Sequence, residues 1–130
     1  MDRVTRHKYN AKKAVVEIDG KPITFDSKAE AHRYQELVLM QRTGLISDLE
    51  LQPEFVLQDG FRRNNKAHRE IKYRADFRYI QDGARVVEDV KGKQTREYQI
   101  KKKMMLQQLG SDDVFRESQK ISTRFKTTDF

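Results

Sequence analysis

The sequence contains no cysteine, which excludes disulfides and thiolate metal sites and points to a reducing, intracellular setting. Histidine is scarce: His7, His32 and His68 are scattered along the chain, an arrangement that argues against a zinc centre. No apolar run approaches the roughly 20 residues that cross a bilayer. The opening stretch, MDRVTRHKYNAKK, lacks the apolar segment of a signal peptide. No Ser-His pairing suggests a covalent nucleophile, and neither an internal repeat nor a low-complexity tract is present. The expectation is a cytoplasmic protein without a membrane partner.

What is present is charge. Of 130 residues, 36% are hydrophobic and 36% charged, with seven Phe and five Tyr to build one modest core. Lys and Arg number 27 against 20 Asp and Glu, a net charge of +7, so polyanions, nucleic acid first, are the expected partners.

Residues 1–13 are basic and poor in large apolar groups, which reads as a flexible arm, leaving 14–130 as a single domain. AVVEIDGKPITF places two short apolar runs around Asp19-Gly20, a hairpin signal. A helix is expected from Lys28 to Thr43, stopped by Gly44, and a strand over LQPEFVLQ, 51–58. The polar stretch 61–70 reads as a loop or the tip of a long hairpin. Two alternating runs around Asp82-Gly83 predict a second hairpin. A second helix follows from Thr95 to Leu109, then a short strand near Val114, with the tail 117–130 unassigned. This order predicts an α/β (α+β) domain around a mixed central sheet flanked by helices.

The second hairpin carries the chemistry. With Asp82-Gly83 as a two-residue loop, Tyr79 faces Val86 and Asp76 faces Asp89. Tyr73, Ala75, Phe77 and Tyr79 then form one face with Val86, Glu88 and Val90. Arg74, Asp76 and Arg78 share the other with Val87, Asp89 and Lys91. Opposed like charges destabilise a sheet unless one is protonated or a cation lies between them. Mg²⁺ is commonly held by one or two carboxylates, so Asp76 and Asp89 are candidate metal ligands. The alternative is a solvated face on which Arg74, Arg78 and Lys91 neutralise the pair.

A third carboxylate, Glu30, opens the first helix within Ser27-Lys-Ala-Glu30, a capping-box pattern. It also heads a helical stripe with Tyr34, Leu37 and Gln41, which would turn it toward the sheet. Both roles stay open from these residues.

Asp76 followed by Asp89-Val-Lys91, with an upstream helical glutamate, resembles the PD-(D/E)xK nuclease superfamily. Phe25-Asp-Ser-Lys-Ala-Glu30, Leu51-Gln-Pro53, Tyr73-Arg-Ala-Asp-Phe77, Val87-Glu-Asp-Val-Lys-Gly92 and Thr95-Arg-Glu-Tyr98 together resemble small phage and prophage proteins similar to Holliday-junction-resolving nucleases. Arg74-Ala-Asp76 departs from the pattern by lacking the proline of the superfamily name. The resemblance implies a restriction-endonuclease-like core and Mg²⁺-dependent hydrolysis of branched DNA in a host cytoplasm, with Mn²⁺ as a substitute. Asp76, Asp89, Glu30 and the Val90 carbonyl would hold the metal, and Lys91 would orient water or stabilise charge. It leaves open flap, nicked or single-stranded DNA, or a silent DNA-binding role.

Candidate phosphate contacts are Arg62, Arg63 and Lys66 on the polar stretch, the basic arm, and Lys93, Arg96, Lys101, Lys102 and Lys103. The second helix carries Tyr98, Met105 and Leu109 on one side and Ile100 and Met104 on another. Two apolar sides, together with the resemblance, suggest a homodimer.

Overall fold

The computed structural model describes residues 13–130; the expected arm lies outside the described residues except for Lys13, which reaches Asp26 at 3.9 Å. Both Asp-Gly dipeptides turn the chain as their chemistry requires. Asp19 and Gly20 take φ 51° and 77°, and Asp82 and Gly83 take φ 52° and 78°, the left-handed pair that a two-residue hairpin loop needs. The first joins β1 (Ala14–Ile18) to β2 (Lys21–Phe25), and the second joins β8 (Phe77–Gln81) to β9 (Ala84–Val90). Gln81 faces Ala84, Tyr79 faces Val86 and Phe77 faces Glu88, which is the expected register.

The main sheet has five strands in the order β11-β10-β9-β8-β3, where β3 is Ser47–Leu51, β10 Val114–Ile121 and β11 Arg124–Asp129. β9 and β10 run parallel and every other neighbouring pair antiparallel, so the sheet is mixed. A parallel neighbour needs a crossover, and α2 (Arg96–Gln108) supplies it. α1 (Lys28–Arg42) covers the opposite face together with the β1-β2 hairpin. Helix α1 is capped by Ser27 and followed by Gly44 at φ 85°; α2 is capped by Thr95.

The core therefore has two halves. Phe25, Ala31, Leu37, Ile46, Phe77, Tyr79 and Val86 pack on the α1 side, and Tyr73, Ala75, Val87, Met105 and Phe115 on the α2 side. Val86 and Val87 are 1% and 2% exposed, so β9 is buried on both faces rather than one. That placement fits its unbroken apolar run.

Two expectations are corrected and one unassigned segment is resolved. The run 71–81 is not one strand: β7 (Ile71–Arg74) ends at a bend through Ala75 and Asp76. The bend sends Tyr73 and Ala75 to the α2 side, away from Phe77 and Tyr79. The expected strand 51–58 is likewise divided. Gln52, at φ 50°, and Pro53 separate β3 from β4 (Glu54–Gln58), and β4 pairs with β7 outside the main sheet. Finally, 117–130 is structural: β10 continues to Ile121 and β11 returns beside it, fastened by a bidentate Arg116–Asp129 pair at 2.7 and 2.9 Å.

Glu88 is the main polar group of the core. It is fully buried and held by Arg33 Nε and Nη2 at 2.7 and 3.0 Å, by Ser118 Oγ at 2.6 Å and by a short contact from the Tyr79 hydroxyl. Those donors come from α1, β10 and β8. Removing one partner of such a pair strands a buried charge, so Arg33→Ala should cost about 3–5 kcal/mol of stability in urea unfolding. A loss below about 1 kcal/mol would show that the pair is not what ties α1 to the sheet.

Candidate active site

The bend that divides β7 from β8 presents Asp76 at one end of the sheet. Its backbone N–H donates to Glu88 O at 3.1 Å, and its Oδ2 accepts from the Val90 N–H at 2.7 Å. Asp89 lies next to Val90 in β9. Strand alternation turns Asp89 away from Glu88, which is committed to the α1 side. Glu30 arrives from the first turn of α1. Ser27 Oγ accepts from the Glu30 N–H at 3.1 Å and donates to Glu30 Oε2 at 3.3 Å, so the capping pattern forms through the Ser27 hydroxyl. The same carboxyl also meets Asp76 and feels the charge of Asp89. Capping and clustering occur together.

All three acids hold their protons more tightly than usual, burial being the first cause in each. Burial pushes Asp76 well above the ordinary aspartate range, and the charges of Asp89 and Glu30 push it further. Asp89 is raised by burial, offset in part by the hydrogen bond shared with Asp76 and by the Tyr73 and Tyr98 hydroxyls. Glu30 is raised by burial and then by Asp26 and Asp89.

Sequence reasoning missed the other side of the cluster. Glu117 of β10 stands directly across the parallel pair from Asp89. Burial opposes its ionisation, but the Tyr98 hydroxyl at 2.6 Å and Lys102 Nζ at 3.1 Å overcome that, and Lys91 adds to it, so its carboxyl titrates below the usual range. Tyr73 is 4% exposed, and its hydroxyl stands beside Asp89, close enough to favour that charge but without a hydrogen bond of normal geometry. The alternation of Tyr73 with Ala75 gave no sign of this, because the bend after them reverses their side. Tyr98 carried a signal, standing in the Thr95-Arg-Glu-Tyr98 motif.

Hard oxygen donors crowded beside a buried hydroxyl that lacks a well-formed hydrogen bond suit a small divalent cation in their chemistry. In this arrangement the carboxyls lean on one another; among the described residues no group of three or more acids or histidines is arranged around an ion. As they stand, Asp76, Asp89 and Glu30 are not so placed. Val90 contributes its N–H to Asp76, and Lys91 is exposed beside the cluster.

The basic candidates separate into groups. Arg62, Arg63 and Lys66 are exposed on a small hairpin of β5 (Phe61–Arg63) and β6 (Lys66–His68) at the tip of the β4-β7 ribbon. Lys93 and Arg96 are exposed around the start of α2, and Lys103 is exposed on it. Lys101 pairs with Glu97 at 3.1 Å. Lys102 turns inward to Glu117 at 3.1 Å and lies 3.6 Å from the centre of the Phe130 ring.

Residues 6–126 match the family described as "Protein of unknown function (DUF1064)", and the chain belongs to that family. No curated protein matches it. Among solved structures, that of SSO0001 is 21% identical with a TM-score of 0.42, over 77% of this chain and 48% of the other; the chain thus spans about half the length of that protein.

The crowding has a measurable sign. An acid whose folded pKa is raised binds more protons folded than unfolded, so its contribution to stability is lost as pH rises from its ordinary value through the raised one. In EDTA, Asp89→Asn should therefore melt above wild type at about pH 8, with the difference shrinking toward about pH 4. A difference independent of pH would mean that the carboxyls do not share their protons.

Proposed function

We propose that this protein is a metal-dependent endodeoxyribonuclease acting on branched DNA, with a restriction-endonuclease-like core and phage Holliday-junction resolvases as the class it resembles. The observation that carries this reading is the convergence of Glu30, Asp76 and Asp89 at one end of the sheet, all with raised proton affinity. Such a cluster costs stability when empty, and a bound cation would offset that cost.

The residues divide the work by position. Asp76, fixed by the Val90 N–H, and Asp89 would hold Mg²⁺, with Glu30 completing or supporting the shell. A cation held there would supply Lewis-acid chemistry, polarising a scissile phosphate and lowering the pKa of a bound water. Lys91 is exposed beside the cluster, near enough to Glu117 to favour its ionised form, and its ammonium group would face negative charge developing on the phosphate. Glu117, Tyr98 and Lys102 form a neutralised wall behind Asp89. Exposed cations on the β5-β6 hairpin and at the start of α2 would hold the DNA backbone.

A second copy of the chain is the proposed partner. On α2, Ile100 is 57% exposed and joins Met104 and Ile71 along a cleft of about 610 Å³, distinct from the buried Met105 side. Two copies related by a twofold axis would present two sites to a four-way junction.

Purified protein should cleave a labelled four-way junction with Mg²⁺ and not with EDTA, and Asp89→Asn should lower the rate by more than about 100-fold. A mutant that cuts at wild-type rate would remove Asp89 from the site. Flap, nicked and single-stranded substrates in the same assay decide the preferred DNA. Mg²⁺ should raise the melting temperature of wild type more than that of Asp89→Asn. Replacing Arg62, Arg63 and Lys66 by Ala should flatten the dependence of binding on salt, with the slope falling by about one unit per lost phosphate contact.

A further inference from the structure

The β5-β6 hairpin carries an aromatic feature that phosphate binding does not use. Phe61 and His68 are directly paired across the two strands, their rings stacked 4.7 Å apart and 13° from parallel. Cross-strand packing of this kind steadies a short hairpin. Yet Phe61 remains 48% exposed, so part of its surface is bare. Arg62, Arg63, Lys66 and Arg69 lie on the same short stretch, with Arg63 and Lys66 on the face of the pair by strand alternation, and no acid lies between Asp59 and Glu70.

The hairpin is built to hold this surface out from the body. Asn64 and Asn65 turn it at φ 53° and 65°, and Arg62 ties its side chain to Asn65 O at 2.9 Å. At its base, a Cβ on Gly60 would lie 3.1 Å from His68 O, a closeness that favours glycine where the strands cross. The ribbon continues through β7 to Arg74, two residues before Asp76. At about 3.3 Å per extended residue, the chain from Asp76 back to His68 reaches at most roughly 26 Å, or about eight base pairs of duplex.

We propose that this hairpin is a base-stacking element, in which Phe61, backed by His68 and accompanied by Arg62, Arg63, Lys66 and Arg69, receives the face of an unpaired nucleobase in branched DNA. The chemistry selects that ligand. A cationic rim recruits phosphate, and a bare ring beside it gains from a second π-surface. Paired bases within a duplex have their faces covered by their neighbours, so such a surface is available where strands part. The inference rests on the DNA reading above and adds to it where the unpaired strand is held.

The chain has no tryptophan, so Phe61→Trp introduces a single fluorescent reporter. In EDTA, its emission should be quenched on saturation with forked DNA bearing unpaired arms, and much less with a flush-ended duplex. Phe61→Ala should weaken fork binding by about tenfold or more while changing duplex binding by less than about twofold. Phe61→Leu keeps apolar bulk for hairpin packing but has no ring, and should lose the fork preference as Ala does. Forked DNA that binds without quenching, or Phe61→Leu with wild-type fork affinity, overturns the stacking element and leaves the nuclease reading standing. Failure to bind DNA of any form overturns both.

Discussion

One buried ion pair sets the geometry on which the site depends. Glu88 is wholly removed from solvent and Arg33 nearly so, and each would be costly without the other. Replacing such a pair with apolar residues can leave a protein as stable or more so, so its significance here is positional. Arg33 and Tyr79 hold Glu88 on the α1 side of β9. Alternation then assigns Asp89 to the other side, among tyrosines from β7 and α2. The backbone oxygen of the same Glu88 accepts from the Asp76 N–H. One residue thus orients both aspartates, through its side chain for one and its carbonyl for the other.

The cluster is organised around an imbalance of charge. Glu117 is satisfied by Tyr98 and Lys102, while among the described residues Asp76 and Asp89 have no ion-pair partner and their proton affinity is raised. A fold selected for stability alone would have little use for three crowded acids or for the poorly bonded Tyr73 hydroxyl. Functional sites are where such local conflicts are tolerated. The mixed sheet, with helices on both faces, supplies the rigidity that keeps the conflict in place.

Local chemistry was legible where a few neighbouring residues decide the outcome. The Asp-Gly turns, the Ser27 cap of α1 and the β8-β9 register followed directly from sequence, and with them the approach of Asp76 to Asp89. Features set by distant partners were not legible. The bend at Ala75-Asp76 depends on bonds to Pro53 and Glu88, which no pattern within 71–81 encodes. Alternation continued through it therefore gave the wrong side for Tyr73. Glu117 could not be recognised because the parallel partner of β9 lies beyond a whole helix. Charge alone marked Lys102 as a candidate phosphate contact; its position opposite Glu117 depends on how α2 crosses the sheet.

The parallel β9-β10 pair also imposes an order of events during synthesis. β9 leaves the ribosome well before Val114–Ile121, and until that later segment arrives one edge of β9 has no strand beside it and Glu88 lacks the Ser118 hydroxyl. Antiparallel hairpins close locally, but this pairing must wait for α2 to emerge and fold back. The wall behind Asp89 is then the last part of the site to be assembled. A nascent chain can display its three clustered carboxylates while still lacking the residue that completes their surroundings.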